Sequence, residues 1–154
     1  MKRVACILLC LVMVVAYLPT ASYASAPTEY SFVTYNSDGS YCVTTITEET
    51  QHSFTMFATM QTKSGTKSQE YYNSNGSLLF TAYVRGTFQY NGATAKATKS
   101  QAGHSISNSA WSYVSGSATY SGATATATCK FRASGLPDRT ATVSLTCSAN
   151  GTLS

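Results

Sequence analysis

His52 and His104 are the only histidines in the chain, and they stand 52 residues apart. Neither has a second histidine or a cysteine at metal-ligand spacing, so no zinc-type pair is written locally. Six carboxylates follow the apolar N-terminal run: Glu29, Asp38, Glu48, Glu49, Glu70 and Asp138. Glu48 and Glu49 are neighbours. On an extended strand, adjacent side chains point to opposite faces, which is poor geometry for the paired carboxylates of a glycosidase. Serine is abundant, but no G-x-S-x-G elbow is present. A thiol nucleophile needs a histidine beside it, and nothing in the spacing supplies one. The residues therefore read as those of a protein that is not an enzyme, with no catalytic, cofactor-binding or metal residues to assign.

Aromatic residues are the more informative set. Tyrosine occurs 11 times and tryptophan once. Alternation places Tyr83, Trp111 and Tyr113 on the solvent side of their strands. Exposed tyrosine and tryptophan serve as stacking platforms for sugars and as anchors for protein partners, so these three are the candidate surface contacts. The threonines Thr124, Thr126 and Thr128 form a row on the same kind of face, as suits a solvent-facing strand.

These residues sit on a unit written twice. Tyr83 to Thr98 and Tyr113 to Thr128 agree at ten of sixteen positions, at an offset of 30 and without a gap. Asn91-Gly92 lies between two runs of alternating character, the strongest short-range hairpin signature. A two-residue loop would set Tyr90 opposite Ala93, Phe88 opposite Ala95 and Gly86 opposite Ala97. Ala82, Val84, Gly86, Phe88, Tyr90, Ala93, Ala95 and Ala97 then share an apolar face. The second copy turns at Ser121-Gly122, with Val114, Gly116, Ala118, Tyr120, Ala123, Ala125, Ala127, Cys129 and Phe131 inward. Large residues on the outgoing strand oppose alanines on the return, so facing layers can interlock.

Around this unit the chain reads as strands throughout. Thr28–Tyr35 and Ser40–Thr47 flank the turn Asn36-Ser37-Asp38-Gly39. Gln51–Thr62 alternates, with Phe57 breaking its polar face. Ser64-Gly65-Thr66 reads as a turn and Gln69–Asn73 as a short strand. Asn75-Gly76 turns into Leu78–Tyr90, and Gln101–Ser109 is a polar connector between the repeats. Arg139–Ala149 closes the domain. About eight strands with regular turn signals and no helix predict an all-β antiparallel sandwich (Ig-like or similar) built from hairpins, with a small barrel as the other closure.

Residues 1–24 read as a secretory signal peptide: Lys2-Arg3, an apolar run from Val4 to Leu18, and small residues for cleavage after Ala24 or Ala26. That leaves residues 25–154 as one domain, with no stable membrane anchor. Removing Lys2 and Arg3 from the ten basic residues leaves eight against six acidic, too small and dispersed an excess for nucleic acid. Charged residues are 10% of the chain, well below the usual quarter, and serine and threonine carry the surface instead. Cys6 and Cys10 leave with the signal. Cys42, Cys129 and Cys147 remain in a compartment where disulfides persist. Cys129 and Cys147 would be cross-strand neighbours if Phe131 lay opposite Leu145, and this pair is the candidate disulfide. Cys42 with either is the alternative, and the odd thiol stays free or bridges two chains.

The segments GTFQYNGATAKATKS, SGSATYSGATATA and TVSLTCSANGTLS together resemble a group of small secreted all-β proteins of Gram-positive, gut Firmicute-type bacteria without an assigned function. The resemblance covers about half the chain and rests on turn and strand motifs. It implies export, an all-β domain and a bacterial source, and it carries over no functional residues. The expectation is a secreted, extracellular, non-enzymatic module that binds an outside protein or glycan. A small antimicrobial or toxin-like effector acting on cell envelopes is the alternative.

Overall fold

The computed structural model describes residues 28–49 and 60–154. Eight strands account for most of them: β1 (Thr28–Tyr35), β2 (Tyr41–Glu49), β3 (Gln61–Tyr72), β4 (Leu78–Tyr90), β5 (Ala95–Ile106), β6 (Trp111–Ser121), β7 (Thr124–Ala133) and β8 (Arg139–Thr146). They form a five-stranded sheet in the order β1-β2-β3-β4-β5 and a three-stranded sheet in the order β6-β7-β8. Every pairing is antiparallel. The sandwich expected from the alternation is therefore present. Its connections run strand to next strand, an up-and-down meander split into two sheets, without the Greek-key exchange of an immunoglobulin domain.

The core lies between the sheets. From the larger sheet come Phe80, Ala82, Val84 and Phe88 of β4, with Ile46 of β2. From the smaller come Ala125, Ala127, Cys129 and Phe131 of β7 and Ala141, Val143 and Leu145 of β8. Phe80 and Phe131 stack across the gap with ring centroids 4.0 Å apart. The alanine stripe of β7 lets the sheets approach closely, so the large β4 side chains fill the interlayer space. The smaller sheet packs on β3, β4 and β5. It leaves β1 exposed along its whole length.

Several local expectations change. Both hairpins of the duplicated unit pair two residues further on than turns at Asn91-Gly92 and Ser121-Gly122 would set, so that Tyr90 faces Ala95 and Tyr120 faces Ala125. In the first copy the loop is four residues, Asn91 to Thr94. The Asn91 side-chain oxygen accepts from the N–H groups of Ala93 and Thr94, at 3.1 and 2.9 Å. This Asx turn replaces the tight type I′ turn. Asn91 has no positive φ, whereas type I′ needs one at both central residues. In the second copy the loop is Gly122-Ala123, with positive φ at Gly122 alone, the sign pattern of type II′.

Ser64-Gly65-Thr66 is not a turn but the middle of β3. Gly65 is there because the chain end passes over it: a Cβ at this position would strike the Leu153 side chain and lie 3.0 Å from the Thr47 carbonyl. Gln101 to Ile106 belongs to β5 and is not a connector. Of the strand read over residues 51–62, only Gln61 and Thr62 lie in β3, and residues 51–59 are outside the described residues, as is His52. The signal segment 1–24 is outside them too. No helix among the described residues is long and apolar enough to cross a membrane.

Candidate functional site

Four connections meet at one end of the sandwich: the β1–β2, β3–β4, β5–β6 and β7–β8 loops. Between them lies a pocket of about 570 Å³, within the usual range for small-ligand sites. Each wall is held by local hydrogen bonding that follows from its residue types. In the first loop Asp38 Oδ1 accepts from Ser40 N at 2.9 Å and Ser40 Oγ at 2.6 Å, and Asn36 Nδ2 donates to Ser40 Oγ at 2.9 Å. In the second, Asn73 Oδ1 accepts from Asn75 N and Ser77 N at 3.0 and 2.8 Å. In the third, the N–H groups of Ser107 and Asn108 both donate to the Leu79 carbonyl at 3.1 Å. Asn108 Oδ1 accepts from Ala110 N at 2.9 Å, and Trp111 N donates to the Asn108 carbonyl at 3.0 Å.

These bonds leave a defined set of groups for a ligand. The side-chain oxygens of Asn73 and Asn108 are spent on their turns, while their side-chain NH2 groups donate to nothing among the described residues. Arg139 lines the same pocket and makes no ion pair among the described residues. It adds positive charge near Asp38, whose carboxyl is held below the usual range first by the Ser40 hydroxyl, then by the Ser40 N–H, and more weakly by Arg139. The apolar lining is Leu79, Leu136, Pro137 and the indole of Trp111. Donors outnumber acceptors, and they stand beside an apolar wall. That combination suits a ligand with acceptor oxygens on one side and C–H groups on the other.

The sequence-predicted contact residues separate. Tyr83 does lie on the outer face of β4, 37% exposed, and its ring lies flat over Gly103 of β5, where a Cβ would collide with it. Trp111 is corrected: it is 8% exposed and packs on Phe80 at 4.9 Å, so it is a core residue that reaches the pocket. Tyr113 stays 38% exposed, but on the Phe131 side of β6 and not the outer one: its ring stacks on His104 at 3.6 Å and stands edge-on to Phe131 at 6.0 Å, at the corner where β5 meets β6.

The cause of both corrections is a bulge. Tyr113 opposes Phe131, but Ser115 opposes Lys130, leaving Val114 as the extra residue on β6. One extra residue reverses which side chains share a face, so Trp111 and Tyr113, upstream of it, stand on the Phe131 side, Trp111 buried and Tyr113 at the exposed margin.

A third aromatic feature escaped the sequence reading. Tyr35, Tyr41 and Tyr72 form a ladder on the outer face of β1, β2 and β3. Centroids are 5.5 Å apart for the first pair and 4.7 Å for the second, which is parallel within 4°. Tyr35 is 73% exposed. The three residues flank the β1–β2 and β3–β4 turns, so the ladder stands beside the pocket mouth. Tyr72 Oη donates to Glu70 Oε2 at 2.8 Å, a bond that raises its pKa and fixes its ring.

The predicted Cys129–Cys147 disulfide is also corrected, since all three described cysteines are free. Phe131 lies opposite Arg139, not Leu145, and Cys129 opposite Ala141. Cys147 is six residues further along β8's direction, roughly 20 Å at strand rise, far beyond disulfide reach. Cys42 sits across from Tyr71 in the other sheet. Among the described residues no three His, Cys, Asp or Glu side chains gather as a metal site would require. Comparison of the chain with protein-family models, curated proteins and solved structures gives no match.

Proposed function

We propose that this is an exported, non-enzymatic binding module that takes a glycan end at the loop pocket, with the tyrosine ladder as a stacking surface for the next sugar. The observation that carries the reading is the pairing of unspent side-chain amide donors on Asn73 and Asn108 with the Trp111 edge, beside the exposed ring of Tyr35 and the half-buried rings of Tyr41 and Tyr72. Sugars offer hydroxyl oxygens around their rim and a C–H face for aromatic rings. Pockets that combine an apolar wall with a few fixed polar groups orient such ligands. The export motif read at residues 1–24 and the hydroxyl-rich surface support a ligand met outside the cell.

A glycan array followed by titration calorimetry tests it. Tyr35→Ala and Arg139→Ala should each weaken binding several-fold while leaving the melting temperature unchanged, because both side chains are exposed. Absence of any glycan binding by the purified protein would sink the reading.

A further inference from the structure

The four edges of the two sheets are not treated alike. β5 carries an extra residue opposite Thr87 and Phe88, where the register shifts, and lysines at positions 96 and 99. β6 is bulged at Val114. β8 is held at its end by the chain terminus: Thr146 and Ser154 exchange both backbone hydrogen bonds at 2.9 Å, and Cys147 bridges Leu153. Bulges, lysines and covering segments are the devices that stop a sheet edge from pairing with another chain. Among the described residues β1 has none of them. All eight of its residues pair with β2 in unbroken register, so its other side presents a straight row of N–H and C=O groups with no partner among the described residues. It contains no Lys, Arg or Pro and one charge, Glu29. Its large side chains are exposed on both faces: Tyr30 52%, Phe32 51%, Val33 46% and Tyr35 73%.

We infer that β1 pairs with β1 of a second copy of this chain, antiparallel across a two-fold axis at Phe32. The strand is self-complementary in that register. Phe32 meets Phe32 of the second copy and Tyr30 meets Thr34, extending the inner face. On the outer face Ser31 meets Val33, and Glu29 meets Tyr35. Aromatic and β-branched cross-strand pairs stabilise, and no like charges are opposed. A heterologous contact could propagate, whereas the two-fold closes. The scale is modest. Three aromatics per chain, half to three-quarters exposed, contribute on the order of 100 Å² apiece, so the interface falls in the small, weakly associating class of under about 1,200 Å². The dimer is therefore concentration-dependent.

Sedimentation equilibrium of the exported, processed chain over the micromolar to millimolar range tests this. The mass should rise from one chain to two, and Phe32→Lys should hold it at one with an unchanged β-sheet circular dichroism spectrum. If Phe32→Lys fails to fold, Val33→Lys on the opposite face of the same strand replaces it. A monomer at every concentration overturns the inference, and so does a dimer that survives whichever of these variants folds. Register is read separately in a Cys42→Ser background. Phe32→Cys should cross-link to its own copy on oxidation and Ser31→Cys should not; the reverse pattern overturns the two-fold at Phe32.

Discussion

Phe80 is where the two sheets converge. Its ring meets Phe131 at 4.0 Å, Tyr71 at 4.8 Å and Trp111 at 4.9 Å. It is fully buried, so truncation removes contacts to three rings and leaves a cavity that flat neighbours refill poorly. Phe80→Ala should cost about 3–5 kcal/mol in urea unfolding, and the pocket should loosen with it because Trp111 loses its support. The cysteines behave as small apolar residues. Burial raises the pKa of Cys129 and Cys147, and burial, aided by the charge of Glu70, raises that of Cys42. A thiol reagent at neutral pH should label Cys42, the least buried, first and reach the other two only on unfolding. Asp138 shows the opposite shift. Hydrogen bonds from Arg132 (2.8 and 3.0 Å) and from Lys130 hold its carboxyl well below the ordinary carboxylate range. A depressed carboxyl stabilises the fold above its unfolded pKa and loses that contribution as pH falls through the folded one. The melting temperature of wild type should exceed that of Asp138→Asn at neutral pH, and the gap should close in acid. A gap that widens in acid would refute the assignment. Because the group is on the surface, salt should shrink it too.

At the level of elements, β1 and β4 were legible to the residue, and β2 nearly so. Their alternation is clean, and Gly39 and Gly76 mark real turns with φ of 80° and 78°. The hairpin registers differ from the expected ones by two positions, yet the inward-facing residues of β4 and β7 keep their face, whereas Val114, Gly116, Ala118 and Tyr120 of β6, with Ala93, are exposed. Side chains alternate with period two, so an even slip keeps every residue on its face, whereas a slip of one would have reversed them all. The bulge at Val114 is such an odd step, and it moves Trp111 into the core and Tyr113 to the Phe131 side of the strand. Gly65 failed for a different reason: glycine signals both a turn and a close approach, and local sequence does not distinguish them. What distinguishes them is Leu153, more than eighty residues away in the chain and 3% exposed. Gly65→Ala should destabilise by about 1–3 kcal/mol as an overpacking change. Part of that should return in the double variant with Leu153→Ala, since residues in contact do not act additively. A fully additive pair would show that the two do not meet.

For the whole molecule, the chemistry of the candidate site was the least legible part. Its residues lie in four loops separated along the chain, and only the meander brings the Asp38, Asn73, Asn108 and Leu136 loops to one end. The same topology explains what the last residues do. Glu48 Oε1 accepts from Leu153 N at 3.3 Å while its other oxygen pairs with Lys63 at 2.9 Å. Gly92 N donates to the Ala149 carbonyl at 2.8 Å. The terminal segment thus ties β2, the β4–β5 loop and the end of β8 together, and Leu153 seals the core above Gly65. Removing residues 148–154 would unpair Thr146, strip the cover from β8 and uncover the apolar floor beneath Leu153. A sheet edge freed beside exposed apolar surface recruits other chains. The truncated protein should therefore melt at a lower temperature and aggregate on heating where the intact chain refolds, as light scattering followed through a thermal cycle would record. If the truncated chain instead melts and refolds like the intact one, the terminal segment contributes nothing to closing the sandwich.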